Sequence, residues 1–154
     1  MNRAATLPLD CSSSGQAAVE FAIVAPVALL ILFAIVTFGI AFNNFIALTF
    51  ATSSAAQLLS ISRGQTTDPC SLTSQAVYSA APQLTQANLK FSIVLGTNTV
   101  ASGTASPSCS GSEQYLAQPN NARVTVTYPC NIIIMGYNFA PNCTLSASTT
   151  VRIQ

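Results

Sequence analysis

Cysteines and carboxylates are the side chains of this 154-residue chain that could carry covalent, acid–base or metal chemistry. The sequence has five cysteines, four acidic residues and no histidine. Without histidine, neither a Ser-His-Asp nor a Cys-His catalytic site can be built, and a zinc site would depend on thiolates alone. The cysteine spacings contain no CxxC pair. We therefore expect no catalytic residues, no metal and no cofactor, and we infer that the protein is not an enzyme.

Charged side chains are rare throughout the chain. They make up 6% of the residues, against about a quarter in typical soluble domains. The five basic residues form no cluster and the net charge is +1, so nothing provides the electrostatic footprint that nucleic acid requires. We expect neither nucleic acid nor a small-molecule substrate among the partners.

The apolar residues are concentrated in one segment, residues 21–42, which contains no charged residue over 22 positions. As a helix this run would measure about 33 Å, which is enough to cross the hydrocarbon core of a bilayer. It is also longer than the roughly 7–15 apolar residues of a secretory signal peptide. We predict a single transmembrane segment over residues 21–42, with the lipid bilayer as a partner.

The helix is predicted to continue beyond the membrane. Residues 43–62 contain no glycine or proline, and their apolar side chains recur at helical spacing. Arg63 and Gly64 predict its end, with a cation in the last turn and a glycine suited to the position after the helix. The result is one long helix over residues 16–63, transmembrane in its first half and amphipathic in its second. The expected inward face of the second half comprises Phe45, Leu48, Ala55, Leu58 and Leu59.

Residues 64–154 are predicted to form one small domain that begins with a second helix. Asp68 followed by Pro69 is typical of an N-cap and a first helical residue. This helix is expected to end near Ala80, with Leu72, Ala76 and Ala80 on one face.

Apolar and polar residues then alternate, which predicts half-buried antiparallel strands over residues 90–95, 123–128 and 145–153. A short partner strand is expected at residues 99–101, and residues 102–121 are expected to be loop. The apolar faces of the three main strands should cover the solvent half of the long helix. The predicted fold class is α+β: a long N-terminal helix packed by a small antiparallel sheet with two disulfides.

An apolar run without alternation lies between the last two strands. It consists of Ile132, Ile133, Ile134 and Met135, and Tyr137 and Phe139 follow it closely. One interpretation is that the run closes the small core. The other is that it forms a surface facing a partner or the membrane. We retain the four residues as a candidate interaction patch.

Four of the five cysteines follow the apolar run, and Cys11 precedes it. An even number beyond the membrane fits two disulfides in an oxidising compartment. Four cysteines allow three pairings. We favour Cys130 with Cys143, because they end one strand and begin the next, and this leaves Cys70 with Cys109.

Gly15 and Glu20 are separated by five positions immediately before the apolar run. The segment GQAAVEF that begins at Gly15 resembles the processing site of type IV prepilins. The resemblance implies that a prepilin peptidase on the cytoplasmic face cuts between Gly15 and Gln16. It also implies that residues 1–15 are a cytoplasmic leader and that Glu20 sets the register between assembled subunits.

The longer stretch of residues 15–39 resembles, more narrowly, the TadE-like proteins, which are minor pilins or pilin-like proteins of bacterial tight-adherence (Tad/Flp) secretion systems. This resemblance implies a structural role in assembling Tad/Flp pili for surface adherence and biofilm formation. It implies other pilins and an inner-membrane assembly platform as partners. The implied location is the inner membrane, in a single pass with a cytoplasmic N-terminus and a periplasmic domain, or incorporation in an extracellular pilus.

An alternative from a different class is a signal-anchored periplasmic binding or envelope module that does not polymerise. It would share the helix and the disulfides but would need no cut after Gly15. Glu20 would then be an interfacial residue that extends toward the lipid headgroups.

Overall fold

The computed structural model of the chain describes residues 12–130, 132–134 and 136–154. Within them the chain forms two α-helices and six strands, and two single turns of 3₁₀ helix at Gln86–Asn88 and Glu113–Tyr115. The predicted α+β class is confirmed. The elements are α1 (Ser12–Ile61), α2 (Pro69–Ala80), β1 (Lys90–Leu95), β2 (Asn98–Thr104), β3 (Asn121–Pro129), β4 (Ile133–Ile134), β5 (Tyr137–Asn138) and β6 (Thr144–Arg152).

The chain divides into two compact units, and the described part of the first is residues 12–36. This unit is a stretch of α1 alone, and the helix continues through Pro26. By length and composition, Gly15–Ile61 is the one helix in the described residues that could cross a membrane, and its most apolar window has no side chains buried in protein. These apolar side chains therefore need a covering that the described chain does not supply.

The second unit, residues 37–154, contains the remainder of α1, and one face of that helical stretch is buried. The buried face follows helical spacing, as the sequence predicts. The prediction is wrong for two residues of this face, Phe45 and Leu58, which are both exposed. Phe45 lies one turn before the buried stripe begins, and Leu58 lies at its edge. The buried residues are Leu48, Ala51, Thr52, Ala55, Ala56, Leu59 and Ser60.

A four-stranded antiparallel sheet forms most of the rest of this unit, in the order β2-β1-β3-β6. Its inner row runs across three strands, with Phe91 opposite Val126 and Val126 opposite Ala147. These side chains belong to the same buried core as the inner face of α1. The three predicted main strands are present: β1 has the predicted ends, and the ends of β3 and β6 differ from the predicted ones by one or two residues.

β2 is longer than predicted, because residues 102–104 pair with β1 instead of forming a loop. The two strands are joined by a tight turn at Gly96 and Thr97. Gly96 has a φ of 62°, a conformation that glycine adopts without strain. The polar Ser-Gly-Thr sequence gives no apolar alternation, so the sequence predicts a loop there.

The buried face of α2 differs from the predicted one. The helix begins with Asp68 as its N-cap and Pro69 in its first turn, and it ends at Ala80. Its buried residues are Pro69, Cys70, Thr73, Ser74 and Val77, whereas Leu72, Ala76 and Ala80 are only half-buried. The bond between Cys70 and Cys109 draws the Cys70 side of the helix inward, and small polar residues occupy the rest of that face.

The apolar run after β3 does not close the core. Ile133 and Ile134 pair with Tyr137 and Asn138 in a separate two-stranded sheet, between Cys130 and Cys143, which are joined. None of Ile132, Ile133 and Ile134 belongs to the buried core, and Ile133 is 53% exposed. Met135 lies outside the described residues.

Two adjacent leucines of α1 offer a matched test of its packing. Leu59 is 0% exposed, whereas Leu58 is 38% exposed. Leu59→Ala should lower the free energy of unfolding by about 2–5 kcal/mol through lost burial and an unfilled cavity. Leu58→Ala should lower it by about 1 kcal/mol or less. Urea unfolding of the full chain in detergent micelles, followed by tyrosine fluorescence, measures both, and equal losses would contradict this packing.

Candidate processing site and interaction surfaces

Gly15 lies near the beginning of α1 in helical backbone, at an exposed position. A Cβ added there would meet no atom within 4 Å, and its φ is not in the left-handed region. Glycine in an exposed helix is about 1 kcal/mol less favourable than alanine. The described fold therefore does not require a glycine at this position.

Gln16 and Glu20 lie one turn apart on the same side of α1. The Gln16 side-chain amide donates a hydrogen bond to the Glu20 carboxylate over 3.3 Å, and both residues are exposed. Within the described residues this neutral amide is the partner of the carboxylate, and it does not neutralise the charge. A carboxylate at the edge of hydrocarbon is costly unless it is paired or reaches the interface.

These sequence-predicted site residues are thus brought together by one helix. Gly15, Gln16 and Glu20 occupy its first turns, immediately before the exposed apolar side chains that begin at Phe21. The rest of the expected leader, residues 1–11 with Cys11, lies outside the described residues.

Asp68 forms a hydrogen-bonded cluster that sequence reasoning identified only as a helix cap. Its Oδ1 accepts hydrogen bonds from the backbone N–H groups of Ser71 and Cys109, each over 3.0 Å. Its Oδ2 accepts one from the Ser108 hydroxyl over 2.6 Å and a longer one from Ser110. The carboxylate thereby joins the beginning of α2 to a loop about forty residues later.

Partial burial raises the pKa of Asp68, but the hydrogen bonds from the Ser108 hydroxyl and from the backbone of Ser71, Cys109 and Cys70 outweigh it. The net effect is a pKa below the ordinary 3.8. The Asp68 cluster therefore stabilises the fold in its ionised form.

The Asp68 cluster also lies beside the bond between Cys70 and Cys109. The carboxylate oxygen and the two sulfur atoms lie within 4.8 Å of one another, as metal ligands do. The two sulfurs are joined in a disulfide, however, so neither is a free thiolate. The arrangement links α2 to the loop and offers no thiolate ligand.

The candidate interaction patch lies on an exposed hairpin of residues 130–143. The Cys130 N–H donates to the Cys143 carbonyl over 3.0 Å, and the Phe139 N–H donates to the Ile132 carbonyl over 2.9 Å. Tyr137 is 77% exposed and Phe139 is 69% exposed. At the base of the hairpin is a cavity of about 300 Å³, lined by Thr37, Ile40, Ala41, Asn44, Tyr128, Pro129, Cys130 and Ile133.

A single apolar N-terminal helix, continued by a half-buried stretch packed with an antiparallel sheet, is the arrangement expected of a membrane-anchored, pilin-like protein. Comparison with known families points in the same direction. Residues 15–57 match the family described as TadE-like protein, which is 43 of the 154 residues. The resemblance that the sequence indicates is confirmed over that segment, and the N-terminal helix is TadE-like. Comparisons with curated proteins and with solved structures gave no match.

The lowered pKa of Asp68 predicts a pH dependence. A carboxyl whose pKa is lower in the folded state contributes stability above its unfolded pKa, near 3.8, and loses it as the pH falls through the folded value. Asp68→Asn should therefore destabilise the fold at pH 7 by about 1 kcal/mol, because solvent screens a carboxylate that is only partly buried. It should also reduce the loss of stability as the pH falls below about 3.8.

Urea midpoints measured at several pH values test this prediction. Ser108→Ala removes one hydrogen bond and should give part of the effect, whereas Ser106→Ala, on the same loop and exposed, serves as the matched control. A wild-type acid dependence that Asp68→Asn leaves unchanged would contradict the role of the cluster.

Proposed function

We propose that this protein is a structural, TadE-like pilin component that takes part in assembling Tad/Flp pili for surface adherence. The observation that carries the proposal is Gly15, a helix-disfavouring residue that the fold does not require, five positions before Glu20. The family match to residues 15–57 begins at this same glycine. Recognition by a processing peptidase would account for a glycine at position 15, whereas the described fold gives no reason for one.

In this proposal the chain is inserted with its N-terminus in the cytoplasm, and residues 1–15 are a leader. A prepilin peptidase cuts between Gly15 and Gln16, residues 21–42 cross the inner membrane, and residues 64–154 lie in the periplasm. The two disulfides support an oxidising compartment for that domain. Their four cysteines, Cys70, Cys109, Cys130 and Cys143, are then structural.

The cut would change the electrostatics of the first turn. Cleavage converts the Gln16 backbone N–H into a positively charged α-amino group, on the same side of the helix as Glu20. The equivalent amine of a neighbouring subunit could then neutralise the Glu20 carboxylate in an environment of low dielectric, where opposite charges interact strongly. Such a contact forms at one axial offset only, so it would set the register of adjacent helices.

The partners follow from the same features. The bare apolar helix would pack with lipid and with the helices of other pilins, and the inner-membrane assembly platform would receive the processed subunit. The role is structural and requires no catalytic residue.

Processing is tested directly at the N-terminus. Intact mass and N-terminal sequencing of the protein from a membrane fraction should show a chain that begins at Gln16 when the peptidase is present. Gly15→Val should leave the leader attached, and Ser14→Ala, the matched neighbour, should not. A wild-type chain that still begins at Met1 in cells with the peptidase would refute the processing step.

The register role of Glu20 is tested with two variants that separate the effect of its charge from that of its hydrogen bond. Glu20→Gln removes the charge at constant size, and Gln16→Ala removes the amide donor but keeps the carboxylate. A loss of even about 1.4 kcal/mol per contact lowers an association constant tenfold. We therefore expect Glu20→Gln to abolish cross-linking to other pilin helices in cells and Gln16→Ala to preserve it.

Membrane fractionation provides the control, because both variants should still be inserted. Normal cross-linking in Glu20→Gln would contradict the register role. Absence of any cross-link to pilin-class helices in the wild type would favour the signal-anchored module that does not polymerise.

A further inference from the structure

We propose that the hairpin of residues 130–143 rests on the bilayer at the point where α1 leaves it, so that its exposed apolar side chains contact lipid. Below it is called the interfacial hairpin. The inference rests on the membrane insertion of α1 in the proposed function and adds a second membrane contact made by the folded domain.

The first observation is the surface of the interfacial hairpin. Ile133, Tyr137 and Phe139 are each more than half exposed, although they are large apolar or aromatic side chains. No charged residue occurs between Arg123 and Arg152. An exposed apolar group without interspersed charge marks a contact with a partner or a membrane in soluble and membrane proteins alike.

The second observation is where the interfacial hairpin lies on α1. Ile133, Cys130 and Tyr128 share a cavity with Thr37, Ile40 and Asn44 of the helix. The apolar run of α1 ends at Phe42, where the polar residues Asn43 and Asn44 follow, and a run of about 20 apolar residues suffices to span a bilayer. Helix residues 37–44 are therefore those at which α1 leaves the hydrocarbon. Residues packed beside them lie at the level of the lipid headgroups.

The third observation is the chemistry of the interfacial hairpin. Tyrosine is enriched at the membrane–water interface because its ring is apolar and its hydroxyl is polar. Tyr128 and Tyr137 both lie on this part of the chain. Backbone hydrogen bonds close the hairpin at its base and at Phe139, so fewer of its polar groups depend on water. The bond between Cys130 and Cys143 holds the two ends together.

A lipid surface fits these observations better than a second copy of the chain. The exposed side chains are adjacent to helix residues that belong to the membrane run, so the patch continues a surface that lipid would already cover. A protein partner would have to reach the same patch at the headgroup level.

Because the chain contains no tryptophan, a single introduced tryptophan can serve as a fluorescent reporter of its own surroundings. Phe139→Trp and Tyr137→Trp place the reporter on the interfacial hairpin. Phe33→Trp places it within the apolar run, and Phe50→Trp places it on an exposed position of α1 beyond that run. Each full-length variant is reconstituted into phosphatidylcholine–phosphatidylglycerol vesicles that carry a nitroxide either near the headgroup or deep in the acyl chain.

Tryptophan at residue 139 or 137 should lose most of its emission with the shallow nitroxide and little with the deep one. Tryptophan at residue 33 should lose most with the deep nitroxide, and tryptophan at residue 50 should lose little with either. Adding Ile133→Asp to the Phe139→Trp chain should restore emission, whereas Ser146→Asp, an exposed position on β6, should not.

Three results would overturn the inference. Quenching at residue 33 without quenching at residues 139 and 137 would leave the helix inserted and remove the hairpin from the membrane. A blue-shifted, concentration-dependent emission at residue 139 without lipid quenching would assign the patch to a second copy. No quenching at residue 33 would refute membrane insertion itself, and with it the proposed function.

Discussion

The structure depends on one constraint: a single helix has to satisfy two environments in succession. Over residues 21–42 its apolar side chains point in every direction, and only lipid or other helices can cover all of them. From Leu48 to Leu59 one face is buried and forms one core with the sheet, whereas Phe50 and Leu58 lie off that face and are exposed. The alanines at the centre of that face, Ala51, Ala55 and Ala56, are fully buried in this core. The domain is therefore built on the helix, and the C-terminal strand is joined to its end where the Gln154 N–H donates to the Ser60 carbonyl.

A domain of this size has a small core, and covalent and polar contacts supplement it. The two disulfides close loops whose cysteines are 39 and 13 residues apart. On the chain-entropy model such closures contribute about 3–4 kcal/mol each, which is comparable with the total stability of many small domains. Asp68 adds hydrogen bonds at the same place as one of them, because its carboxylate binds the backbone N–H of Cys109. The beginning of α2 is thus held both by a covalent bond and by a charge.

Features with a local signal and the two cysteine pairings could be predicted from the sequence, whereas non-covalent contacts between distant residues could not. The strand around Phe91, the N-cap at Asp68 and the end of α1 before Gly64 are encoded by neighbouring residues. The partners of Asp68 lie about forty residues away, so no local pattern reveals them. The isoleucine run is ambiguous by itself, because an apolar run without alternation suits a core and a surface contact equally. The spacing of Gly15 and Glu20 is a short linear pattern, and the processing and register roles inferred from it stay predictions.

Two carboxylates of this chain show where the described fold is complete and where it needs another molecule. Asp68 accepts hydrogen bonds from two backbone N–H groups and two hydroxyls, so its ionised form is stabilised within the domain. Glu20 accepts one hydrogen bond, from a neutral amide, immediately before the apolar run. An ionised group at the edge of the hydrocarbon is energetically unfavourable unless it pairs with another group or reaches the interface. The described residues offer Glu20 no cation, so any opposite charge that pairs with it lies outside them. The contact with a neighbouring subunit that we propose would supply such a charge. It would convert an unpaired charge into a preference for one arrangement of helices.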